Sequence, residues 1–368
     1  LAQGTGEDVW VSGMDPLQTL YAIDWETGSV LLVEASDPVG VLVKRHPFFY
    51  SAQYEAATHV ILISLAKFCE GLGFGHHGLD GMRDGNHRLV LVHSVGRCGS
   101  TLITRAFEAA KDPQVLAFSE PDVFTQVASS VLAGIMDETE AVRLLASVLR
   151  WFSLQADGRY CVLKLRSLEI LELAMRASPG SRHIVVIRPL EPWLLSWVRV
   201  LAVARDIPVD EFDWFDSASS YHARISRYHH LLISEKPTEH NVIQFWSRRW
   251  LSLMTSFRLA LNDSELIRTT QSRIYLTSYE ALMMKPKEGM VRLFSFCGLR
   301  SWDPATLNNV ITEDSQKGTG LSSLRQSWDT HRESNALTEK VRAEIGQVLQ
   351  DSDDIMKAML DGARFGCN

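Results

Sequence analysis

The sequence has no apolar stretch long enough to cross a membrane. A spanning helix needs roughly 18 or more consecutive apolar residues. The longest candidates here, Val60–Ala66 and Val198–Ala204, are only as long as buried core segments. A basic segment followed by an apolar one, which would mark a signal peptide, is also missing from the N-terminus. We therefore expect no membrane span within these 368 residues.

Cysteine is scarce and is not arranged for metal binding or cross-linking. The five cysteines are odd in number and widely spaced: Cys69, Cys98, Cys161, Cys297 and Cys367. The absence of Cys-x-x-Cys argues against a zinc ribbon and against a disulfide scaffold. A reducing compartment is the simpler explanation, so we expect a cytoplasmic protein. The Golgi lumen is the alternative if an N-terminal anchor precedes Leu1.

Negative charge is concentrated at the front of the chain. Residues 1–86 contain four basic and eleven acidic residues, which accounts for the whole net charge of −7, and residues 87–368 are balanced. An acidic segment disfavours nucleic acid and other polyanions as partners. The shift in composition predicts two units, an acidic N-terminal α+β segment (1–86) and a larger domain (87–368).

The front segment is predicted to contain a hairpin and a helix. Leu17–Trp25 and Val30–Glu34 flank a turn, Val39–Lys44 is a further strand candidate, and Ala52–Cys69 has a helical pattern. The stretch Gly71–Gly85 then contains six glycines, including a G-x-G-x-x-G. Because that motif follows a helical segment rather than a strand, it indicates a linker and not a dinucleotide site.

After the linker, strands and helices alternate. The predicted strands are Arg88–His93, Val115–Phe118, Tyr160–Leu165, Arg182–Ile187 and Arg273–Thr277. Alternation of this kind is typical of an α/β fold with a mostly parallel central sheet and helices on both faces. We therefore predict a three-layer α/β sandwich for the larger domain.

The turn after the first of these strands has the composition of an anion site. Gly96 and Gly99 allow a tight turn, and Ser100 and Thr101 open the helix that follows. Free backbone amides at a helix start bind phosphate-like groups, and Arg97 adds a positive charge. The turn is not a Walker A loop, because Gly99 stands where that motif has lysine. The alternative is an ordinary strand–turn–helix capped by Ser100.

Four segments in order resemble the motifs of sulfotransferases. Residues 97–102, Arg-Cys-Gly-Ser-Thr-Leu, resemble their 5′-phosphosulfate loop. Arg188 at a strand end, with Ser196 eight residues later, resembles the 3′-phosphate motif. Residues 275–282 resemble the late strand with its Tyr-Glu-Asp-Leu, and residues 316–320 resemble the C-terminal Lys-Gly-x-x-Gly loop. The similarity covers about residues 88–325.

The resemblance implies a P-loop-type fold and 3′-phosphoadenosine-5′-phosphosulfate (PAPS) as the sulfuryl donor, with no metal. The residues implied in nucleotide binding are Arg97, Cys98, Gly99, Ser100, Thr101, Leu102, Arg188, Ser196, Lys317 and Gly318. Two positions depart from the family pattern. Cys98 replaces a serine in the loop, and Arg166 stands where the cytosolic branch has its catalytic histidine. Arginine cannot act as a general base, so the base must lie elsewhere.

Sulfuryl transfer needs positive charge at the leaving phosphate and a base near the attacking hydroxyl. Arg97 and Lys164 are candidates for the first role, and Glu120 is the leading candidate for the second because it ends the strand after the loop helix. Related Golgi and bacterial sulfotransferases resemble the chain in having a glutamate there. Glu120 could instead cap the following helix. Weaker candidates for the base are His222, His229, His230 and His240.

These residues predict a sulfotransferase acting on a hydroxyl of a small-molecule or carrier-bound acceptor. The alternatives are a P-loop phosphotransferase, which a Mg²⁺ requirement would reveal, and a nucleotide-binding scaffold without turnover. The sequence predicts no particular oligomeric state.

Overall fold

The structure is a computed structural model that describes residues 3–4, 15–72, 88–112, 114–166, 169–205, 213, 241–263, 273–313 and 339–350. The N-terminal segment is built on a small, mainly antiparallel sheet. Its elements are β1 (Gln3–Gly4), β2 (Gln18–Asp24), β3 (Ser29–Ala35), α1 (Val39–Arg45), α2 (Phe49–Ala56), β4 (Ala57–Ser64) and α3 (Leu65–Gly71). Strand β3 pairs antiparallel with both β2 and β4, which confirms the predicted hairpin and the α+β class of this segment.

Two predictions for this segment are wrong. Val39–Lys44 forms helix α1 rather than a strand, because Val39 and Leu42 bury themselves at helical spacing. Ala52–Cys69 is not one helix, since α2 ends at Ala56 and β4 intervenes. Pairing of the β-branched and apolar residues of β4 with β3, for example Val60 opposite Val33, overrides the local helical pattern.

Five strands after residue 87 form one parallel sheet. They are β5 (Leu89–Ser94), β7 (Val115–Ser119), β8 (Tyr160–Lys164), β9 (Arg182–Ile187) and β10 (Ile274–Ser278), in the spatial order β10-β9-β5-β8-β7. Two short strands, β6 (Ala110–Asp112) and β11 (Ser301–Trp302), pair antiparallel beside it. The predicted strands agree with this sheet to within a residue or two at each end.

Helices cover both faces of the parallel sheet. They are α4 (Ser100–Phe107), α5 (Asp122–Leu132), α6 (Glu138–Gln155), α7 (Leu171–Ala177), α8 (Leu190–Arg205), α9 (Val242–Asn262), α10 (Tyr279–Met284), α11 (Pro286–Cys297), α12 (Pro304–Thr312) and α13 (Glu339–Gln350). Side chains alternate across a strand, so Val90 and Val92 join one hydrophobic cluster while Leu89 and Leu91 join the other. The predicted three-layer α/β architecture is therefore confirmed.

The N-terminal segment packs onto one of these faces and shares its core. The ring of Phe49 meets Phe118 of β7 edge to face, with centroids 5.1 Å apart, and Phe152 of α6 at 6.5 Å. The backbone amide of Ile23 donates to Oε1 of Gln126 on α5 at 2.7 Å. Burial of these aromatic rings against the sheet is the main source of stability at this contact.

Chain order places a crevice at the carboxyl end of β5. The chain leaves β5 toward β7 and β8 on one side and later continues to β9 and β10 on the other. Ligands of open α/β sheets bind at such a switch point, outside the carboxyl ends of the strands. None of the helices in the described ranges combines the length and apolar content that a membrane span requires.

Candidate active site

The loop between β5 and α4 lies at this switch point and has an unusual backbone. Gly96, Arg97 and Gly99 have positive φ values of 73°, 52° and 80°. Helix α4 starts after Gly99, which is its N-cap and provides no side-chain bond. The alternative of a helix capped by Ser100 is therefore wrong. The first amides of a helix have no partner within the helix, so those at the start of α4 suit an anion, and phosphate binding by this loop stays a prediction.

Three residues on the β9 side of the loop fix the loop conformation: Arg188, Trp193 and Ser196. Nε1 of Trp193 donates to the carbonyl of Val95 at 3.0 Å, and Nη1 of Arg188 donates to the carbonyl of Arg97 at 2.9 Å. Nε of Arg97 donates to Oγ of Ser196 at 3.2 Å. The structure thus brings together three residues that the sequence implicated in nucleotide binding, from three separate elements.

Arg188 is itself fixed from its far side. Its Nε lies 3.2 Å from Oε1 of Glu280, and its guanidinium stacks 4.4 Å from the ring centre of Tyr279. The Tyr279 ring also closes on Gly99, where an added Cβ would lie 2.8 Å from the ring. Burial and, next, the neighbouring Arg188 lower the pKa of Arg97 to about 10. At that pKa the Arg97 guanidinium is still charged at neutral pH, so the loop has a positive charge beside it.

Lys164 connects the loop to the predicted base. Its Nζ donates to Oγ1 of Thr101 at 2.7 Å and to Oε1 of Glu120 at 2.5 Å. The lysine side chain is 3% exposed and that of Glu120 is 15% exposed, so the ion pair is nearly withdrawn from water. A single ammonium group therefore lies between the anion loop and a carboxylate.

Glu120 is held as an ion and does not cap α5. The helix has Pro121 as its N-cap, without a side-chain bond, so the capping alternative is wrong. Oε2 of Glu120 accepts from Nε of Arg166 at 3.0 Å. Burial raises the pKa of Glu120, but Lys164 and Arg166 outweigh it and lower the value to about 2. While both cations hold it, the carboxylate is ionised at neutral pH and is a weak base.

The sequence did not indicate the residues that surround this ion pair. Arg166 also donates from Nη1 to Oδ1 of Asp122 at 3.0 Å, and its guanidinium lies 4.7 Å from the ring centre of Tyr50 in the N-terminal segment. Phe48 covers Nζ of Lys164 at 5.6 Å. The spacing of Lys164 and Arg166, two residues apart at a strand end, could have predicted that both cations point the same way.

The remaining predicted residues fall into two groups. Cys98 and Leu102 are buried, and Sγ of Cys98 donates to the carbonyl of Val186 at 3.4 Å, so their side chains belong to the core and only their backbone faces the loop. The others lie outside the described residues: Lys317, Gly318, His222, His229, His230 and His240. Among the residues that the structure describes, no group of three or more His, Cys, Asp or Glu could hold a metal ion.

Comparison with known proteins finds similarity to solved sulfotransferase structures. A mouse sulfotransferase complexed with PAP is 12% identical, with 82% of this chain and 96% of that one aligned and a TM-score of 0.43. The sulfotransferase domain from the curacin biosynthetic pathway is 16% identical over 72% and 96% of the two chains, with a TM-score of 0.40. The sulfotransferase domain of the Synechococcus PCC 7002 olefin synthase is 14% identical over 73% and 96%, with a TM-score of 0.40. No protein-family model and no curated protein matches the chain.

Proposed function

We propose that the protein transfers a sulfuryl group from PAPS to the hydroxyl of a small-molecule or carrier-bound acceptor. The observation that supports this most is the contact of one buried lysine, Lys164, with both Thr101 of the anion loop and the carboxylate of Glu120. Group transfer to an alcohol needs positive charge at the leaving oxygen and a proton acceptor within reach. The Lys164 ammonium group provides the positive charge, and the Glu120 carboxylate that it contacts provides the proton acceptor.

The residues around the loop fit an anionic nucleotide donor. Arg97 and the amides at the start of α4 would hold the phosphosulfate, and Arg188 with Ser196 would hold the 3′-phosphate. By the resemblance, Lys317 and Gly318 would add contacts. The positive φ values at Gly96 and Gly99 bring the backbone close to such a group, since no side chain intervenes there. When bound, PAPS supplies an activated sulfuryl group on a phosphate leaving group.

Glu120 is assigned the role of the base that takes the proton from the acceptor hydroxyl. The acceptor oxygen forms its bond to sulfur while the bond from sulfur to the phosphate oxygen breaks, the proton passes to the carboxylate, and 3′,5′-ADP leaves. Lys164 can pair either with Glu120 or with an anion in the loop, because Nζ already contacts both sides. Turning toward the loop removes the larger of the two charges that lower the pKa of Glu120, which makes the carboxylate a better base.

A phosphotransferase is the second candidate, and the loop argues against it. Kinases and NTPases with this kind of loop place lysine directly before the serine or threonine that binds Mg²⁺. Gly99 occupies that position here, with φ of 80° and Tyr279 packed against it. A scaffold without turnover would keep nucleotide affinity and form no product.

Two measurements test the proposal. Calorimetry should show that 3′,5′-ADP binds about tenfold to a hundredfold more tightly than 5′-AMP, because the 3′-phosphate adds a charge-assisted contact. Labelled PAPS incubated with a panel of alcohols and phenols should then give a labelled product. Equal affinities for the two nucleotides would refute the donor assignment. Tight 3′,5′-ADP binding without any product would favour the scaffold.

A further inference from the structure

A cavity adjoins the candidate active site on the side of the N-terminal segment. It has a volume of about 140 Å³ and lies between α4 and residues 43–47, which are the last turn of α1 and the two residues after it. Helix α4 contributes Thr101, Thr104 and Arg105, and its C-cap contributes Glu108; their i, i+3, i+4, i+7 spacing forms one polar face. The apolar face of α4 is buried in the core, so the cavity is the place where the polar face meets the N-terminal segment.

The cavity is lined by an excess of positive charge. Lys44, Arg45 and Arg105 line it, against one carboxylate, Glu108. Arg45 also pairs with Asp37 at 3.0 Å, and the lining is still positive by one charge when that pair is counted as neutral. A cleft lined mainly by one sign of charge concentrates ligands of the opposite sign. The cavity therefore favours an anionic group.

The inner end of this cavity lies at Thr101, which contacts Lys164 of the candidate active site. Thr101 lines it, and the hydroxyl of Thr101 accepts from Nζ of Lys164 at 2.7 Å. Ser119, also in the lining, directly precedes Glu120. Lys164 and Glu120 are not among the lining residues, so a molecule bound here would have its inner end at Thr101, one hydrogen bond away from Lys164, and its outer end beside Lys44. The cavity is thus placed to hold an acceptor rather than the nucleotide.

We infer that this cavity is the acceptor subsite and that it takes small hydroxylated carboxylic acids of about one-ring size. Resting on the proposed function, the inference assigns the carboxylate of the acceptor to the cationic outer end and its hydroxyl to the inner end. The volume is close to that of an engineered cavity of ~150 Å³ that holds benzene. The N-terminal segment then determines which acceptor is used.

The test compares two acceptors that differ only in charge, 4-hydroxybenzoate and 4-hydroxybenzamide. With the full chain, we expect the acid to have about a threefold to tenfold higher kcat/KM than the amide, mainly through KM, because the charges are partly screened by water. Calorimetry with each compound alone should show the same order of affinity. Equal values for acid and amide, or tighter binding of the amide, would overturn the inference.

Three charge variants locate the effect. Lys44→Met removes a lining charge while keeping the length of the side chain, and should lower the preference for the acid toward unity. Glu108→Gln removes the opposing carboxylate and should raise the preference. Lys285→Met is the matched control, since Lys285 is an exposed lysine that pairs with Glu288 outside the cavity, and should change nothing. Equal shifts in Lys44→Met and Lys285→Met would show a general charge effect and would refute the subsite.

The experiments distinguish failure of the proposed sulfotransferase function from failure of the proposed acceptor subsite. If 3′,5′-ADP binds but acid and amide are equivalent, the donor assignment stands and the acceptor class is wrong. If 4-hydroxybenzoate binds in a Lys44-dependent way but 3′,5′-ADP does not bind, the anionic subsite stands and the sulfotransferase function is wrong.

Discussion

The two sides of the anion loop are built from different chemistry. On the β9 side, Arg188 and Trp193 donate to backbone carbonyls of the loop, and Tyr279 stacks on Arg188. On the β8 side, formed by Glu120, Lys164 and Arg166, the contacts are between ionised side chains. The first side fixes the path of the backbone, whereas the second holds groups that can exchange partners.

Under the proposed function, this difference assigns nucleotide binding to the β9 side and catalysis to the β8 side. Backbone carbonyls do not titrate, so the hydrogen bonds that Arg188 and Trp193 donate to the loop suit recognition of a fixed nucleotide. On the β8 side, Lys164 and Arg166 hold the carboxylate of Glu120 in its ionised form. Loss of either cation would raise the pKa of this carboxylate. Variants on the two sides should therefore differ in whether they affect affinity or rate.

The largest effect is expected on the β8 side, from Glu120→Gln. Glutamine keeps the shape and accepts hydrogen bonds but cannot take a proton, so turnover should fall by about a hundredfold to ten-thousandfold. Affinity for 3′,5′-ADP should change little, since the base faces the acceptor. Initial rates with labelled PAPS and calorimetry on the same variant measure both.

Asp122→Asn is the matched control, because Asp122 pairs with the same Arg166 but does not touch Lys164 in the described contacts. Its turnover should fall by less than about tenfold, as expected for a residue outside the proton transfer. Near-normal turnover in Glu120→Gln would remove Glu120 as the base and direct attention to His222, His229, His230 and His240.

On the β9 side, Arg188→Met should act on affinity. Loss of the guanidinium removes a charged contact to the 3′-phosphate and the bond to the carbonyl of Arg97, so 3′,5′-ADP should bind about tenfold to a hundredfold more weakly. Binding of 5′-AMP should change much less. Arg182→Met, at the amino end of the same strand, is the control and should leave both affinities intact. If Arg188→Met lowered turnover without weakening the binding of 3′,5′-ADP, the β9 side would act in catalysis rather than in nucleotide binding.

Gly99→Ala tests the loop that joins the two sides. Its positive φ disfavours alanine, and the new Cβ would lie 2.8 Å from the Tyr279 ring, so unfolding free energy should drop by about 1–3 kcal/mol. Gly134→Ala is a matched control with φ of 68° and no atom within 4 Å of the added Cβ. Thermal melts of both variants separate the backbone cost from the clash. Equal losses of unfolding free energy in the two variants would show that the Tyr279 ring moves away from the added Cβ without a measurable cost.

The sequence predicted the loop better than the groups around Glu120. The apolar run before Gly96 and the glycines themselves are local signals, so strand, turn and helix start were placed correctly. The pairing of Glu120 with Arg166 depends on β7 and β8 being neighbours in the sheet, which no local pattern states. The contact of Tyr50 with Arg166 depends further on how the N-terminal segment docks.

The errors in the N-terminal segment have the same origin. Val39–Lys44 is rich in valine and predicts a strand by propensity, yet it belongs to helix α1, which packs against α2 and β7. Short apolar runs such as Val60–Ile63 fit a buried helix or a strand equally well, and only the pairing partner β3 decides.

A smaller effect is expected in the pH dependence of stability, to which the ion pairs of Glu120 on the β8 side contribute. The folded pKa of Glu120 is about 2, below its usual 4.5, so its ion pairs stabilise the fold above pH ~4.5 and lose this contribution as pH falls toward 2. Glu120→Gln should therefore show a shallower loss of melting temperature over that interval than the unmodified protein. Parallel curves would mean that the carboxylate is not held by Lys164 and Arg166 in solution.

The smallest expected effect is that of a chelator. The loop has Gly99 in place of the lysine that precedes the magnesium-binding hydroxyl in Walker A motifs. Transfer from PAPS should continue unchanged in excess EDTA, measured beside an assay with added Mg²⁺. Complete loss of activity that Mg²⁺ restores would favour the phosphotransferase.

The backbone of Arg97 has a consequence for selection. This residue has φ of 52°, is half-buried, and has Arg188 nearby, all of which disfavour arginine in the fold. Asparagine and glycine tolerate that conformation without the buried charge. A library selected for thermal stability alone should therefore enrich those residues at position 97, whereas selection for turnover should retain arginine. Under the proposed function, selection for higher stability is therefore opposed at position 97, because the Arg97 charge would hold the donor.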